Sequence, residues 1–459
     1  MESNRLSRRN FLGLAALSVP VVAGVAACSS SGPSQTGAGA TGTGAAATGG
    51  GSTAKGTATY WFLSGQPQQG IRENSVKAFN KANPNGTIKY TEFQNDAFKQ
   101  KIKTAIGAGQ APTIIWGWGG GGLRSYVQAN QVDDLTSWFA QNPDVKNRLF
   151  PAAFGAATVD GKIYAMPSEA VQPIILFYNK KVLDKVGVEP PKSWEDIMAM
   201  VPKINAKGVA PFSLAGASRW TNMMWLEMLF DRIGGPEIFE AVYNGKKDAW
   251  SNPDAIKALT DVQDLVKANG FIKGFQSIVA DQNADQAVFY TGKAAMMLHG
   301  SWTYGNMKSS GGDFVTGGHL GWMSFPPVAG GKGDPSNQYG NPGQYLSISS
   351  KASDAQKQIA LNYFKTGVLT DAEVAEWIKT GSVPIVKSAA SQLSSAGADA
   401  TFLQFVYDIS SKAKTFSQSW DQALSPTQAE VLLDNISKLF GLSVSPQQFA
   451  NNLNAVIGK

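Results

Sequence analysis

Cysteine is nearly absent from this chain: Cys28 is the only one in 459 residues. Histidine is almost as scarce, with His299 and His319 far from any cysteine. A single thiol excludes an intrachain disulfide, so in an oxidising compartment stability must come from buried apolar surface. The two shortages together leave little support for a His/Cys metal site or a Ser–His triad. Charged residues are also few, at 16%, and the formal net charge is only +6. That balance argues against a general nucleic-acid partner. Gly117–Gly122 is glycine-rich but lacks the Lys-Ser/Thr that completes a phosphate loop. No cofactor and no metal are expected.

What is abundant is glycine, with 49 residues, and tryptophan, with 12. A surface with few charges and many aromatics suits a neutral polar ligand better than an ionic one. The first residues have their own logic. Ser7-Arg8-Arg9-Asn10-Phe11-Leu12 is a twin-arginine export pattern, and a mostly apolar run leads to Val25-Ala26-Ala27-Cys28. At about 16 residues, interrupted by Gly13, Pro20 and Gly24, the run is short for a spanning helix of about 20. Its ending resembles a bacterial lipobox, in which the cysteine receives lipid and becomes the new N-terminus. Residues 1–27 are therefore expected to be removed, taking Arg5, Arg8, Arg9 and Glu2 and lowering the net charge by two. Residues 28–56, the lipidated Cys28 and a Gly/Ala/Ser/Thr run, read as a tether with a reach of roughly 30 Å.

From Thr57 the pattern becomes that of a folded chain. Thr57–Leu63 is β-rich, Ile71–Asn83 has helical spacing, Thr87–Phe93 alternates, Phe98–Ala108 is helical, and Ala111–Trp116 is a third strand. This order predicts βαβ units and a parallel sheet, with any ligand beyond the carboxyl ends of the strands. Strands are also predicted around Gly161–Pro167, Pro173–Asn179, Ala294–Leu298 and Tyr345–Ile348. Ser193 reads as a helix N-cap, and residues 193–320 read as mostly helical before the strand at Ala294. Helices are expected over 353–366, 369–380 and 427–457.

Four stretches carry a family likeness: Gly161–Pro167 leading to Leu176–Lys180; Pro190–Ile197; Tyr290–Met297 with Gly300-Ser301-Trp302; and Gly340–Ser349 before Ala360–Phe364. In this order and spacing they resemble the extracellular solute-binding proteins, family 1, of sugar-importing ABC transporters. The resemblance implies an α/β periplasmic-binding-protein fold, type II-like, with two lobes, a hinge and a ligand cleft between them. It places the N-lobe at 57–165 and 320–365, and the C-lobe at 166–319 and 366–459. It implies an oligosaccharide ligand, first of all xylobiose or xylo-oligosaccharides, with cello-, chito- and malto-types as alternatives. It further implies ABC permease subunits as partners, attachment to the outer membrane face through Cys28, and a monomer.

A sugar needs flat aromatic platforms for its C–H faces and amides or carboxylates for its hydroxyls. Trp116 and Trp118, at a strand end, are candidate platforms. Gln66, Gln68, Asn95 and Asp96 lie in the other strand-end loops. Glu169 follows Met166-Pro167, where the family passes its cleft, with Gln172 just beyond. Trp302 matches a position where related proteins stack a sugar. Trp220, Asn341 with Gln344, Tyr345, and Trp420 with Asp421 complete the expected set. Trp225 and Met223, Met224 and Met228 have helical spacing and read as core. A glycoside hydrolase would need two carboxyls at a set separation across the scissile bond, and no spacing here supports that. A polyamine site would want clustered carboxylates, and a phosphate site arginines.

Overall fold

The computed structural model describes residues 54–458, so the export-signal and lipidation readings, with most of the tether, lie outside the described residues. The N-terminal part builds as its periodicity dictates. Strands Gly56–Leu63, Gly86–Phe93 and Ile114–Gly117 are joined by helices Gln68–Ala82 and Asn95–Gly107. The three strands are parallel, with Tyr60 opposite both Tyr90 and Ile114. Two later strands complete this first sheet against the expectation of a purely parallel one. Gln344–Ile348 runs antiparallel to Ile114–Gly117, and Met166–Ser168 runs antiparallel to Gln344–Ile348. Met166–Ser168 leads out to the second sheet and Gln344–Ile348 returns from it, so neither is reached through a βαβ crossover of this sheet, and both pair antiparallel.

The second sheet is organised on the ten-residue strand Ala170–Asn179. Its first half pairs with Gln338–Asn341 and its second half with Ala294–Gly300 and Leu320–Met323. The run Ile174-Ile175-Leu176-Phe177 is apolar at every position because both faces are covered. Ile175 and Phe177 enter one core, and Ile174 and Leu176 the other. Ala210–Ser213 adds a strand parallel to Ala294–Gly300. Its sequence, Ala-Pro-Phe-Ser, is too short to stand out from the helices around it.

Two cores result. The first gathers Tyr60, Phe98, Trp116, Phe139 and Tyr363, and the second gathers Trp225, Trp250, Phe271 and Trp420. Side chains of 366–459 divide between them: Val368, Trp377 and Phe402 join the first, and Leu432 and Phe449 the second. The chain passes from one sheet to the other at Ser168-Glu169-Ala170 and back at Asn341–Gln344. Those short crossings, with no packed helix between, are where two lobes can pivot. Ser193 caps the helix Trp194–Asn205 by accepting the Asp196 N–H. Among the described residues no helix is long and apolar enough to cross a membrane.

Candidate functional site

The carboxyl ends of the three parallel strands turn toward the second lobe. They carry Gln66 and Gln68 after Leu63, Asn95 and Asp96 after Phe93, and Trp116 and Trp118 around Gly117. The facing wall comes from the second sheet. Ala294–Gly300 delivers His299 and Trp302, the turn Gly216–Ser218 delivers Trp220 at the start of helix Trp220–Gly234, and the return crossing delivers Asn341. Together they enclose a chamber of about 170 Å³ lined by Gln66, Gln68, Asn95, Trp116, Trp118, Trp220, Trp302 and Asn341. A second cavity of about 460 Å³ adjoins it and shares Trp116, Trp118 and Trp220; Asp96 lines this outer cavity.

The aromatic walls are set by neighbours. Trp220 and Trp302 lie 6.1 Å apart at 42°, and each meets the His299 ring edge-on, at 5.4 and 5.2 Å. The Trp302 indole lies directly over Gly300, where an added Cβ would fall 1.7 Å from ring atom Cζ3. Glycine is thus required at 300 by the indole. Trp116 and Trp118 pack edge-to-face at 4.7 Å, with Trp116 buried and Trp118 half-exposed. His299 Nδ1 accepts the Gly300 N–H, which leaves Nε2 for the ring proton. Nε2 sits 3.2 Å from Asp285 Oδ2, an ion-pair distance, yet makes no aligned hydrogen bond.

The polar lining has a direction. Asn283 Oδ1 accepts amide donors from both Gln286 and Asn306, at 2.8 and 3.2 Å. Gln172 Oε1 accepts them from both Asn341 and Gln344, at 3.2 and 2.7 Å. The carbonyl oxygens of Gln286, Asn306, Asn341 and Gln344 are left buried without a partner, as is Trp220 Nε1. All five residues line the chamber. A buried acceptor left empty costs about 1–3 kcal/mol, and Trp220 Nε1–H is a donor left empty likewise, so this wall holds unmet hydrogen-bonding capacity of both kinds. Asn283, Gln286 and Asn306 had no signature in the sequence, because single amides in a helical stretch look like solvated surface.

The cleft carboxylates are already engaged. Asp96 Oδ2 accepts from Ser218 Oγ at 2.9 Å, and Asp421 pairs with Lys99 at 2.9 Å. Asp281 accepts the Asp96 N–H, and burial, then the nearby Asp96 charge, raises its pKa above the ordinary carboxylate value. No group of three or more His, Cys, Asp or Glu among the described residues is placed to hold a metal ion.

Three expected contacts fall elsewhere. Glu169 lies beneath the cleft. It takes both Arg72 Nε and Nη2, at 2.8 and 2.7 Å, and the Trp116 Nε1–H at 2.7 Å. Its neighbour Arg72, unremarked in the sequence, is worked against by burial, but the Glu169 carboxylate more than offsets this and raises its pKa. Tyr345 is 1% exposed, and its hydroxyl donates to the Ala153 carbonyl, so its ring supports the outer cavity from below. Trp420 is wholly buried, stacked on Phe239 at 4.8 Å and 10° and flanked by Phe230 and Trp250. Its neighbour Asp421 reaches the cleft instead, because successive residues at a helix start point in different directions. Trp225 is core, whereas Met223 and Met224 also line the chamber floor.

Comparison with known proteins places this arrangement. A solved structure from work on xylan utilization by the thermophilic bacterium Caldanaerobius polysaccharolyticus is 29% identical, with a TM-score of 0.79 over 88% of this chain and 100% of that one. A chitin oligosaccharide binding protein is 24% identical, with a TM-score of 0.78 over 88% and 98%. These likenesses identify the two-lobed solute-binding fold. Among curated sequences, a probable sugar-binding periplasmic protein of Mesorhizobium japonicum is 29% identical over 226 residues, 48% of this chain and 52% of that one. An uncharacterized ABC transporter extracellular-binding protein of Pyrococcus horikoshii is 24% identical over 262 residues, 55% and 56% of the two chains. The chain thus spans about half the length of these curated relatives. Residues 64–367, most of the described chain, match the model of the bacterial extracellular solute-binding proteins, and the protein belongs to that family.

Proposed function

We propose that this protein captures a neutral oligosaccharide outside the cytoplasm and hands it to an ABC permease. The observation that carries the reading is the set of unpartnered carbonyl oxygens on Gln286, Asn306, Asn341 and Gln344 beside the Trp220–Trp302 pair. Sugar hydroxyls are donors that suit those oxygens, and indole faces suit the C–H surface of a ring. An anion would meet acceptors on this wall, and a polyamine would meet carboxylates already held by Ser218 and Lys99. Xylobiose and longer xylo-oligosaccharides are the first-choice ligands, and the likeness to the xylan-utilization structure supports them. Chito-, cello- and malto-oligosaccharides are the alternatives. Hydrolysis is disfavoured because the cleft carboxylates serve inter-lobe bonds.

In this reading no covalent bond changes. Ligand binds between the lobes and favours the closed form, and the permease distinguishes that form from the open one. The signal and Cys28 readings add twin-arginine export, lipid attachment to the outer membrane face and a monomeric receptor on a leash. Calorimetric titration with the four sugar series, with product analysis of the same samples, tests it. Micromolar or tighter binding of one neutral series with no cleavage is expected. Binding of none of them, or release of shorter sugars, overturns it.

A further inference from the structure

The inner chamber and the outer cavity share residues around one helical turn. Asp96 and Lys99 stand three residues apart on helix Asn95–Gly107, hence on one face, and both reach the other lobe. Asp96 accepts from Ser218 Oγ, which itself accepts the Ala280 N–H at 3.0 Å, and the Asp96 N–H points to Asp281. Lys99 pairs with Asp421, which also accepts from Gln422 Nε2 at 2.8 Å, and its ammonium lies 5.0 Å from the Trp118 ring centre. Lys99, Asp421 and Gln422 line both spaces. Asp421 is 5% exposed and Lys99 24%, so the pair is partly shielded from water.

At about 170 Å³ the inner chamber is smaller than the roughly 300–1,000 Å³ of typical small-molecule sites, whereas the outer cavity, at about 460 Å³, falls within that range alone and when joined to the chamber. A ligand confined to the inner chamber leaves both bridges intact. A longer one runs into both spaces, past Trp118 and Trp220, the two half-exposed indoles common to them, and past Lys99, Asp421 and Gln422.

We infer that the Asp96–Ser218 and Lys99–Asp421 bridges form a length gate, and that the outer cavity beyond it is a second glycan subsite. The inference rests on the neutral-oligosaccharide reading. The gate favours short ligands by closing over them and penalises long ones by the bridges they break. Lys99 and Asp421 are therefore specificity-determining residues for chain length.

The test is calorimetric titration of the full chain with xylose through xylopentaose and the matching chitin series. Lys99→Met, Asp421→Asn and Ser218→Ala are compared with wild type. Each variant should shift the ratio of short-chain to long-chain Kd toward long chains, by at least tenfold for the two charge variants and several-fold for Ser218→Ala. The serine change removes only a hydroxyl and keeps the test valid if a charge variant fails to fold. Equal weakening at every length would make the bridges a simple lobe clamp and overturn the gate. An unchanged ratio would also overturn it. Wild-type protein that binds no neutral sugar of any length would overturn the functional reading as well, whereas tight wild-type binding with length-independent variants defeats the gate alone.

Discussion

Trp302 and Gly300 act as one unit at the residue scale. The indole occupies the space a side chain at 300 would take, so the glycine seats the indole. Trp302→Ala should weaken sugar binding by about 2 kcal/mol, the usual cost of losing a central aromatic anchor. Gly300→Ala should cost a similar amount by pushing the indole off its seat while leaving the indole present. The pair should be strongly non-additive: once Trp302 is gone, the methyl at 300 has nothing to displace. A double-mutant cycle by calorimetry checks this, and additive losses would uncouple the two residues. The sequence marks Trp302 as a candidate ligand contact, whereas nothing in it marks Gly300, because a glycine before Ser-Trp reads as an ordinary turn.

Between elements, the decisive residue is Glu169. It sits between strand Met166–Ser168 of one sheet and Ala170–Asn179 of the other, with φ of 63°, a conformation costly for a non-glycine residue. The surrounding bonds hold it there: Arg72 in a bidentate pair, the Trp116 indole N–H, and the Ile385 N–H on its carbonyl at 3.0 Å. Glu169→Ala would strand a buried arginine and should cost about 3–5 kcal/mol of stability, the usual penalty for breaking such a pair. Glu169→Gln keeps an oxygen for Trp116 and should lose less stability and retain more sugar affinity. Chemical unfolding and titration of both variants separate the outcomes, and equal losses would show that the carboxylate does not orient Trp116. This element shows where sequence reading reached its limit. The first three strands and their helices were legible because each repeats a clean period over many residues. The strand ends therefore located much of the cleft. What escaped was set by packing between distant segments: the Arg72 partner of Glu169, the Asn283 and Gln172 amide relays, and the burial of Trp420 among Phe230, Phe239 and Trp250. Tryptophan serves cores and platforms equally well, so only the fold distinguishes the two uses.

Across the whole molecule, burial raises a glutamate in each lobe well above the ordinary carboxylate value. Burial pushes Glu227, in the second lobe, up to about 8; one of its oxygens accepts the Trp420 N–H and the other has no partner. Burial likewise pushes Glu373, beside Trp377 and Tyr363 in the first lobe, up to about 7, with the nearby Glu169 charge adding to it. Both start from 4.5, so between that value and the raised ones the folded chain holds protons that the unfolded chain has released. Stability from these groups is then complete below about pH 4.5 and declines as pH rises from there to about 7 and 8, at about 1.4 kcal/mol per pH unit for each group while it is ionised in the unfolded chain and protonated in the folded one. The half-buried Glu73 and Asp408, whose pKa values are lowered by neighbouring hydrogen bonds, act in the opposite sense and only in acid. Urea unfolding at pH 5, 6.5 and 8 should therefore show stability falling across that window. Glu227→Gln, which imitates the protonated acid and keeps an acceptor for Trp420, should flatten the decline and leave the variant more stable than wild type at pH 8. A wild-type profile that rises from pH 5 to 8, or a Glu227→Gln profile parallel to it, would mean that the buried carboxyl is ionised in the folded protein.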